Sequence, residues 1–518
     1  MNYKRPFCNP NPFNRFQTPP GGGGYAMPIP PQLKLQLARS LGDVTTSAPP
    51  LRPHQQPVRT IGLRDLILFY VVTGVSLRWI ATAASIGPSS LVIWVAAWLL
   101  FYVPLALSVI ELSSRYPAEG GLYVWTKKAF GEGPGFLAAW MYWNSNLPYF
   151  PAVLYFAASN ALFLHPALQK FSHSPSYFVL FSVIALAGLT ILNIVGMNIA
   201  KWSYNIGALA MWIPALMVVV IGLIAWARFG SATSFHPAAL IPSTHLRDII
   251  FWSTIVFAFG GSETGSFLAE EIKDPRRNIP RGLFLAGTTI MFCYLVGTFC
   301  VLLALPSSET NNLDGLVQAL AKTAGRLGWS GITPTAAALI AISNIGAAAA
   351  FLAAAARLPF VAGIDGFLPR AFGKLHPRWG TPYISVLLQG VVGIVFVFLG
   401  QAGTSVRGAY DVLVSIGVIT YMVPYLFLFA SLIRLQGDPA ASDVIRVPGG
   451  KRMAFVVACT GFTTTSMAIL LSLIPPPEET HKFLAASKVI GSAGILMGIG
   501  FVFYWLGRAK SRERENLT

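Results

Sequence analysis

Between residues 60 and 507 the chain alternates long apolar stretches with short polar connectors. A helix of about 18 or more apolar residues can cross the hydrocarbon core of a bilayer. The pattern predicts twelve such spans: Leu63–Ile86, Leu91–Ser113, Gly135–Phe163, Tyr177–Val195, Lys201–Ala227, a sixth starting near Ile249, Leu283–Leu305, Pro334–Ala356, Tyr383–Leu399, Ala409–Ile433, Arg452–Ile474 and Ser487–Leu506. The expected fold class is therefore an all-α polytopic membrane protein with twelve transmembrane helices. Residues 1–60 break the pattern, with twelve prolines and the run Gly21–Gly24. Such a composition cannot bury a core and reads as a disordered tail. Its Leu33–Leu41 patch reads as a linker or an interfacial helix, and no apolar core of a secretory signal stands near the N-terminus. The last residues, 508–518, read as a solvated charged tail.

Two spans are interrupted. The sixth runs as FWSTIVFAF from Phe251 to Phe259, stops at Gly260-Gly261, and resumes as Ser262-Glu263-Thr264-Gly265-Ser266-Phe267-Leu268-Ala269. Adjacent glycines remove the preference for staying helical. Unwound backbone at membrane depth is tolerated only where it is buried in protein or lines a cavity. Glu263 sits at this break, and a carboxylate there is expensive enough to suggest function. The first span breaks likewise at Thr73-Gly74-Val75-Ser76, and Gly74 lies 186 residues before Gly260. Breaks at matching positions of two five-span halves mark an inverted repeat with a midplane site. The expected domains are a 1–60 tail, a 61–433 ten-helix core, two additional helices over 434–507 and a 508–518 tail.

Composition sharpens this class. Hydrophobic residues make up 54% and charged residues 11%, whereas a soluble domain carries about 25% charged residues. The net charge of +17 would suggest nucleic acid in a soluble protein; here it reads as Lys/Arg-rich cytoplasmic loops, with no nucleic-acid partner. With both termini inside, 28 of the 37 Lys and Arg fall on the cytoplasmic side and eight outside, Arg78 lying within the first span. The four cysteines form no C-x-x-C, so neither a metal site nor a disulfide framework is indicated. No G-x-x-x-x-G-K-[ST], H-E-x-x-H or G-x-S-x-G occurs, so no enzyme and no ATP-driven pump is expected.

Polar residues within the spans supply the candidate chemistry. Arg78 lies one turn beyond Gly74 and must find a partner or water. It could pair with Glu263, hold a substrate carboxylate, or snorkel to the outer interface; the pairing is the leading expectation. In the third span Asn144, Asn146 and Tyr149 cannot all share one face. Ser343-Asn344 interrupts an Ala-rich eighth span, and Tyr421 with Thr420 offers a wall from the tenth. Gly207–Val219 holds no lysine, which leaves a lysine-based proton switch unsupported. Glu270, Glu271, Lys273, Asp274, Arg276 and Arg277 form either a solvated loop or an inner gate.

Three ordered motifs resemble the amino acid–polyamine–organocation transporter superfamily. They are Phe257-Ala258-Phe259-Gly260-Gly261-Ser262-Glu263 with Glu270–Gly282 (EEIKDPRRNIPRG), Tyr116–Trp125 (YPAEGGLYVW), and Gly363–Pro382 (GIDGFLPRAFGKLHPRWGTP). The likeness extends from about Thr60 to Gly507. Val447–Lys451 and Leu473–Pro477 further resemble the glutamate/γ-aminobutyrate antiporter branch. Many members carry Gly-Ser-Gly where this chain has Thr73-Gly74-Val75. The resemblance implies a leucine-transporter-type 5+5 inverted repeat with discontinuous helices 1 and 6 and a zwitterionic substrate between them. The helix N-terminus after the first break favours a carboxylate, and free carbonyls at Phe257, Ala258 and Phe259 suit an ammonium.

The expected activity is secondary transport of an amino acid or related amine across the plasma membrane, or the inner membrane in a bacterium. A polyamine carrier of the same fold and a non-transporting sensor are the alternatives. The expected substrate-binding set is Thr73, Gly74, Val75, Ser76, Arg78, Asn144, Tyr149, Phe257, Ala258, Phe259, Gly260, Gly261, Glu263, Ser343 and Tyr421. A coupling proton or sodium ion is left open, the lipid bilayer is the other partner, and no cofactor is expected.

Overall fold

The computed structural model describes residues 59–518 apart from 119, 243–245, 308–314, 365–367, 370, 402–405, 440–443, 475–481 and 516–518. The expectations for the N-terminal tail with its Leu33–Leu41 patch, for Glu119, for part of the Gly363–Pro382 loop and for the extreme C-terminus lie outside the described residues. So do the side chains of Arg247, Arg407, Lys482 and Lys488.

Among the described residues every extended regular element is a helix. The first span is the pair α1 (Leu63–Gly74) and α2 (Arg78–Ile86), bent by 43°. There follow α3 (Ser89–Arg115), α4 (Leu122–Phe130), α5 (Glu132–Ala161), α6 (Pro175–Val195) and α7 (Met197–Phe229). The second half comprises α8 (Leu246–Ala258), α9 (Pro275–Ala304), α10 (Gly315–Arg326), α11 (Ile332–Ile364), α12 (Tyr383–Gln401), α13 (Val406–Leu435), α14 (Gly450–Ser472) and α15 (Lys482–Glu515).

Among the described residues, eight helices are each long and apolar enough to cross a membrane, and the bent α1–α2 pair makes a ninth. The other three expected spans coincide with α8, α12 and α15. α8 stops after 13 residues because of the glycine pair. α15 continues through Glu515, so residues 508–515 are helical where a charged tail was expected. Arg, Lys and Glu are good helix formers, and Arg508 Nη1 donates back one turn to Tyr504 Oη at 3.3 Å. α4 and α10, also absent from the expected spans, are too short and polar for the membrane pattern.

Burial separates the centre from the rim. The apolar windows of α5 and α11 are 83% and 78% buried, against 33% in α6 and α14. α6 and α9 expose Leu180, Ile184, Ile191, Phe284 and Phe292. Exposed apolar surface on this scale would be a liability in water, but it is the solvent-matched face in lipid. α11 packs on α7 and α5, and α13 on α5 and α14. Where α7 meets α11, Gly207 lies against Gly346, and a Cβ on Gly207 would stand 2.7 Å from Gly346 Cα. Small residues at such crossings let two backbones touch. In α3, Pro104 cannot donate to the carbonyl four residues back, and a π turn over Trp98–Tyr102 precedes it.

A parallel bridge ties Ile61, before α1, to Ile272, after the second break. Thr60 and Ile61 amides donate to Glu271 O at 3.0 Å, and Lys273 N donates to Ile61 O at 2.9 Å. At the same end α3 is joined to the segment after α13. Glu111, fully buried, accepts from Arg115 Nε at 2.9 Å, Gln436 Nε2 at 2.7 Å and Val447 N at 2.8 Å. Tyr116 donates to Asp438 Oδ2 at 2.6 Å. Burial, followed by that bond to a carboxylate, pushes the Tyr116 phenol up to about 12.

Candidate functional site

α1 ends at Gly74 and Val75 is extended (φ −108°, ψ 127°), so the chain leaves the helix and re-enters it at Arg78. α8 ends at Ala258, and the chain turns through Phe259–Glu263 with Gly261 at φ 108°. That left-handed region strains residues bearing a Cβ. After the break the sixth span resumes as a short 3-10 helix, Thr264–Leu268, and not as an α-helix. The two breaks touch. A Cβ at Gly261 would lie 2.7 Å from Thr73 O. Thr73 Oγ1 donates to Phe69 O at 2.9 Å and reaches Gly261 O at 3.5 Å.

Tyr294 of α9 clips the crossing. Its hydroxyl accepts from Ser76 N at 3.0 Å and shares its proton between Gly74 O at 3.0 Å and Ala258 O at 3.2 Å. The ring stacks on Trp94, centroids 4.3 Å apart. Nothing in the apolar pattern of the seventh span marks this tyrosine. Tyr294→Phe would take the hydroxyl from the part-buried Ser76 amide and from the buried Gly74 and Ala258 carbonyls. A buried unsatisfied polar group costs about 1–3 kcal/mol, so the variant is expected to unfold at a lower temperature in detergent than the parent. An unchanged midpoint would show that the hydroxyl does not hold the breaks together.

A cavity opens beside the crossing, with about 840 Å³ of empty space, its open mouth included. Of the residues expected at a site, Thr73, Gly74, Val75, Ser76, Arg78, Tyr149, Phe257, Ala258, Gly260, Ser343 and Tyr421 line it. Phe259, Gly261, Glu263 and Asn144 do not. Phe259 turns away to pack edge-on against Trp94, 5.5 Å between centroids. Asn144 bonds back to its own helix, Nδ2 to Trp140 O at 2.7 Å, while Asn146 faces the cavity instead. Asn344 and Trp79 also line it, and Trp79 sets its ring edge against Phe257 at 5.8 Å.

Glu263 stands behind the wall, fully buried. Its Oε1 accepts from Tyr142 Oη at 2.5 Å and Tyr421 Oη at 3.0 Å, and its Oε2 from Gly261 N at 3.3 Å. The expected pairing with Arg78 is not among these contacts: phenols from α5 and α13 satisfy the carboxylate. Tyr421 belongs to both places, lining the cavity and touching Glu263. In the loop after the second break, Glu271 is buried and pairs with Arg357 of α11, whose Nε donates to Glu271 Oε1 at 2.9 Å and whose Nη2 also bonds that oxygen. The loop expected to be either solvated or a gate thus contributes a buried ion pair. Arg357 sits in an apolar run that gave no sign of it.

A multi-pass chain whose described regular elements are helices, with two touching helix breaks beside a cavity, defines a membrane permease. The amino acid permease model matches residues 61–501, and the chain belongs to that family, within the amino acid–polyamine–organocation superfamily. It is 28% identical over 465 residues to an uncharacterized transporter of Legionella pneumophila, covering 88% of this chain and 98% of the relative. It is 24% identical to a probable agmatine/putrescine antiporter of Lactococcus lactis, over 81% and 89% of the two chains. It is also 24% identical to a glutamate/gamma-aminobutyrate antiporter of the same species, over 74% and 78%.

Proposed function

We propose that this permease is a secondary transporter that moves an amino acid across the plasma membrane by alternating access, with the substrate held where the two breaks wall the cavity. The supporting observation is that residues from both breaks, Thr73–Ser76 with Phe257, Ala258 and Gly260, share one cavity with Tyr149, Ser343 and Tyr421. In this reading twelve spans form a ten-helix 5+5 core over 61–433 and two further helices over 434–507, with both termini cytoplasmic. Binding energy, not covalent chemistry, drives the cycle. A coupling proton or sodium ion is compatible with it. A polyamine cargo is the second reading, favoured by the relative named for agmatine and putrescine.

Purified protein in proteoliposomes should take up radiolabelled amino acids, faster with counter-substrate inside if it exchanges. Folded protein that moves neither amino acids nor amines would overturn the reading. The orientation is tested by single cysteines. Positions 127, 276 and 374 should resist an impermeant reagent added outside, while position 322 should react. Strong external labelling at 276 would reverse the topology.

A further inference from the structure

One face of α9 is sorted by polarity along its length. Exposed residues recur on it at helical spacing: Arg277, Arg281, Phe284, Leu285, Phe292 and Phe299. The hydroxyl on this face, Thr288, bonds back to Phe284 O at 3.0 Å. The opposite face, with Ile279, Leu283, Ala286 and Ile290, is buried in the protein. The exposed stripe is basic where the helix begins and apolar beyond, and the change comes within one turn, between Arg281 and Phe284. From Arg281 to Phe299 the helix rises about 27 Å, nearly the thickness of the hydrocarbon core of a bilayer. Phe284 and the residues after it therefore face lipid tails, while Arg277 and Arg281 stand at headgroup depth. Residues 273–281 carry four bases and one acid, a net charge of +3.

α7 continues the same surface. Both helices begin beside the start of α1: Lys201 Nζ lies 3.8 Å from Asp65 Oδ2, and Ile272, three residues before α9, is bridged to Ile61. Further along they touch, where a Cβ at Gly222 would stand 2.6 Å from Cys300 O. The two therefore run parallel, and counting back from that contact sets Trp202 level with Pro280, at the height of Arg281. Trp202 is exposed and opens the lipid face of α7, followed by Ile206, Leu209 and Ile213. Tryptophan is enriched at the headgroup boundary, so the two helices agree on where that boundary falls.

We propose that the outer face of α7 and α9 binds one anionic phospholipid, with Arg277 and Arg281 on its phosphate and its acyl chains along Phe284, Leu285 and Ile206. Residues four apart on a helix are neighbours, and each guanidinium offers the fork of donors that fits phosphate oxygens. Long apolar stems let both heads reach the phosphate while the stems stay against the tails. A zwitterionic headgroup adds a cation beyond its phosphate, which a segment of charge +3 repels; an anionic headgroup adds none. The inference needs only that the chain sits in a bilayer, whichever cargo it moves.

The experiment titrates the full-length protein, purified in a non-ionic detergent, with phosphatidylglycerol or phosphatidylcholine and counts bound lipid by native mass spectrometry. Wild-type protein should hold one phosphatidylglycerol in preference to phosphatidylcholine. Arg277→Gln with Arg281→Gln should weaken phosphatidylglycerol binding about five- to thirtyfold, since each cation beside an anionic headgroup contributes about fivefold. Lys451→Gln with Arg452→Gln removes two exposed charges from the start of α14 and should leave that binding nearly unchanged. Equal binding of the two lipids by the wild-type protein overturns the site. So does an equal loss in the two double variants, which would show only a general attraction between charges. Displacement of the lipid by an equal concentration of inorganic phosphate would mark a phosphate site without a lipid and overturns it too. Should the first double variant not fold, the single changes Arg277→Gln and Arg281→Gln decide: a loss of about fivefold for each supports the site, and a loss in neither overturns it.

Discussion

Arg357→Ala is expected to lower stability by about 3–5 kcal/mol, because it strands the Glu271 carboxylate in a buried site. Arg357 and Glu271 are each more than nine-tenths buried, so water cannot easily take over the lost partner. Arg357 also donates Nη1 to Ala353 O at 2.6 Å, bracing its own helix. The double change Arg357→Ala with Glu271→Ala should recover much of the loss, since it removes both charges together. Glu271 carries the backbone carbonyl that receives the Thr60 and Ile61 amides, so the single change should also loosen the entry to α1. Thermal unfolding of the three variants in detergent measures the coupling. Additive effects of the two single changes would show that the ion pair contributes nothing of its own.

Glu263→Gln should leave the amount of folded protein near normal and cut uptake by at least about tenfold. The amide keeps the shape and one acceptor for the Tyr142 and Tyr421 hydroxyls, so packing survives. What it loses is the second acceptor oxygen, which takes the Gly261 amide; an amide nitrogen there cannot accept, so the group that Tyr421 leans on is less firmly held. Because Tyr421 reaches both Glu263 and the cavity, a weaker hold on its hydroxyl alters the wall against which the cargo rests. Uptake equal to that of the parent, from a variant present at the parent's level, would exclude Glu263 from transport.

Much of the scaffold was legible because apolar length and glycine placement are local signals. The boundaries Leu63 and Ile86 of the first span agree with the structure, and both breaks fall at the glycines expected. The failures share one physical cause, which is that side-chain partners come from distant parts of the chain. Tyr142 and Tyr421 lie 121 and 158 residues from Glu263, and no periodicity announces them. An aromatic in an apolar helix looks like packing until its hydroxyl is placed, as with Tyr294. Asn144 was the asparagine expected at the site, yet Asn146 is the one that lines the cavity. Both amides bond back one turn, Asn146 to Tyr142 O and Asn144 to Trp140 O, so position around the helix alone separates them.

The Gly207–Gly346 contact constrains motion in a particular way. Interdigitated side chains resist sliding and twisting alike, because every ridge is trapped in a groove. Two bare backbones in contact present no ridges there. They resist being pushed together, yet they allow one rod to tilt over the other. Any rocking of α7 against α11 would therefore turn about this spot as about a fulcrum. The displacement would be smallest there and would grow with distance along each helix. A valine at position 207 would act like a pebble under that pivot, spreading the two rods along their whole length.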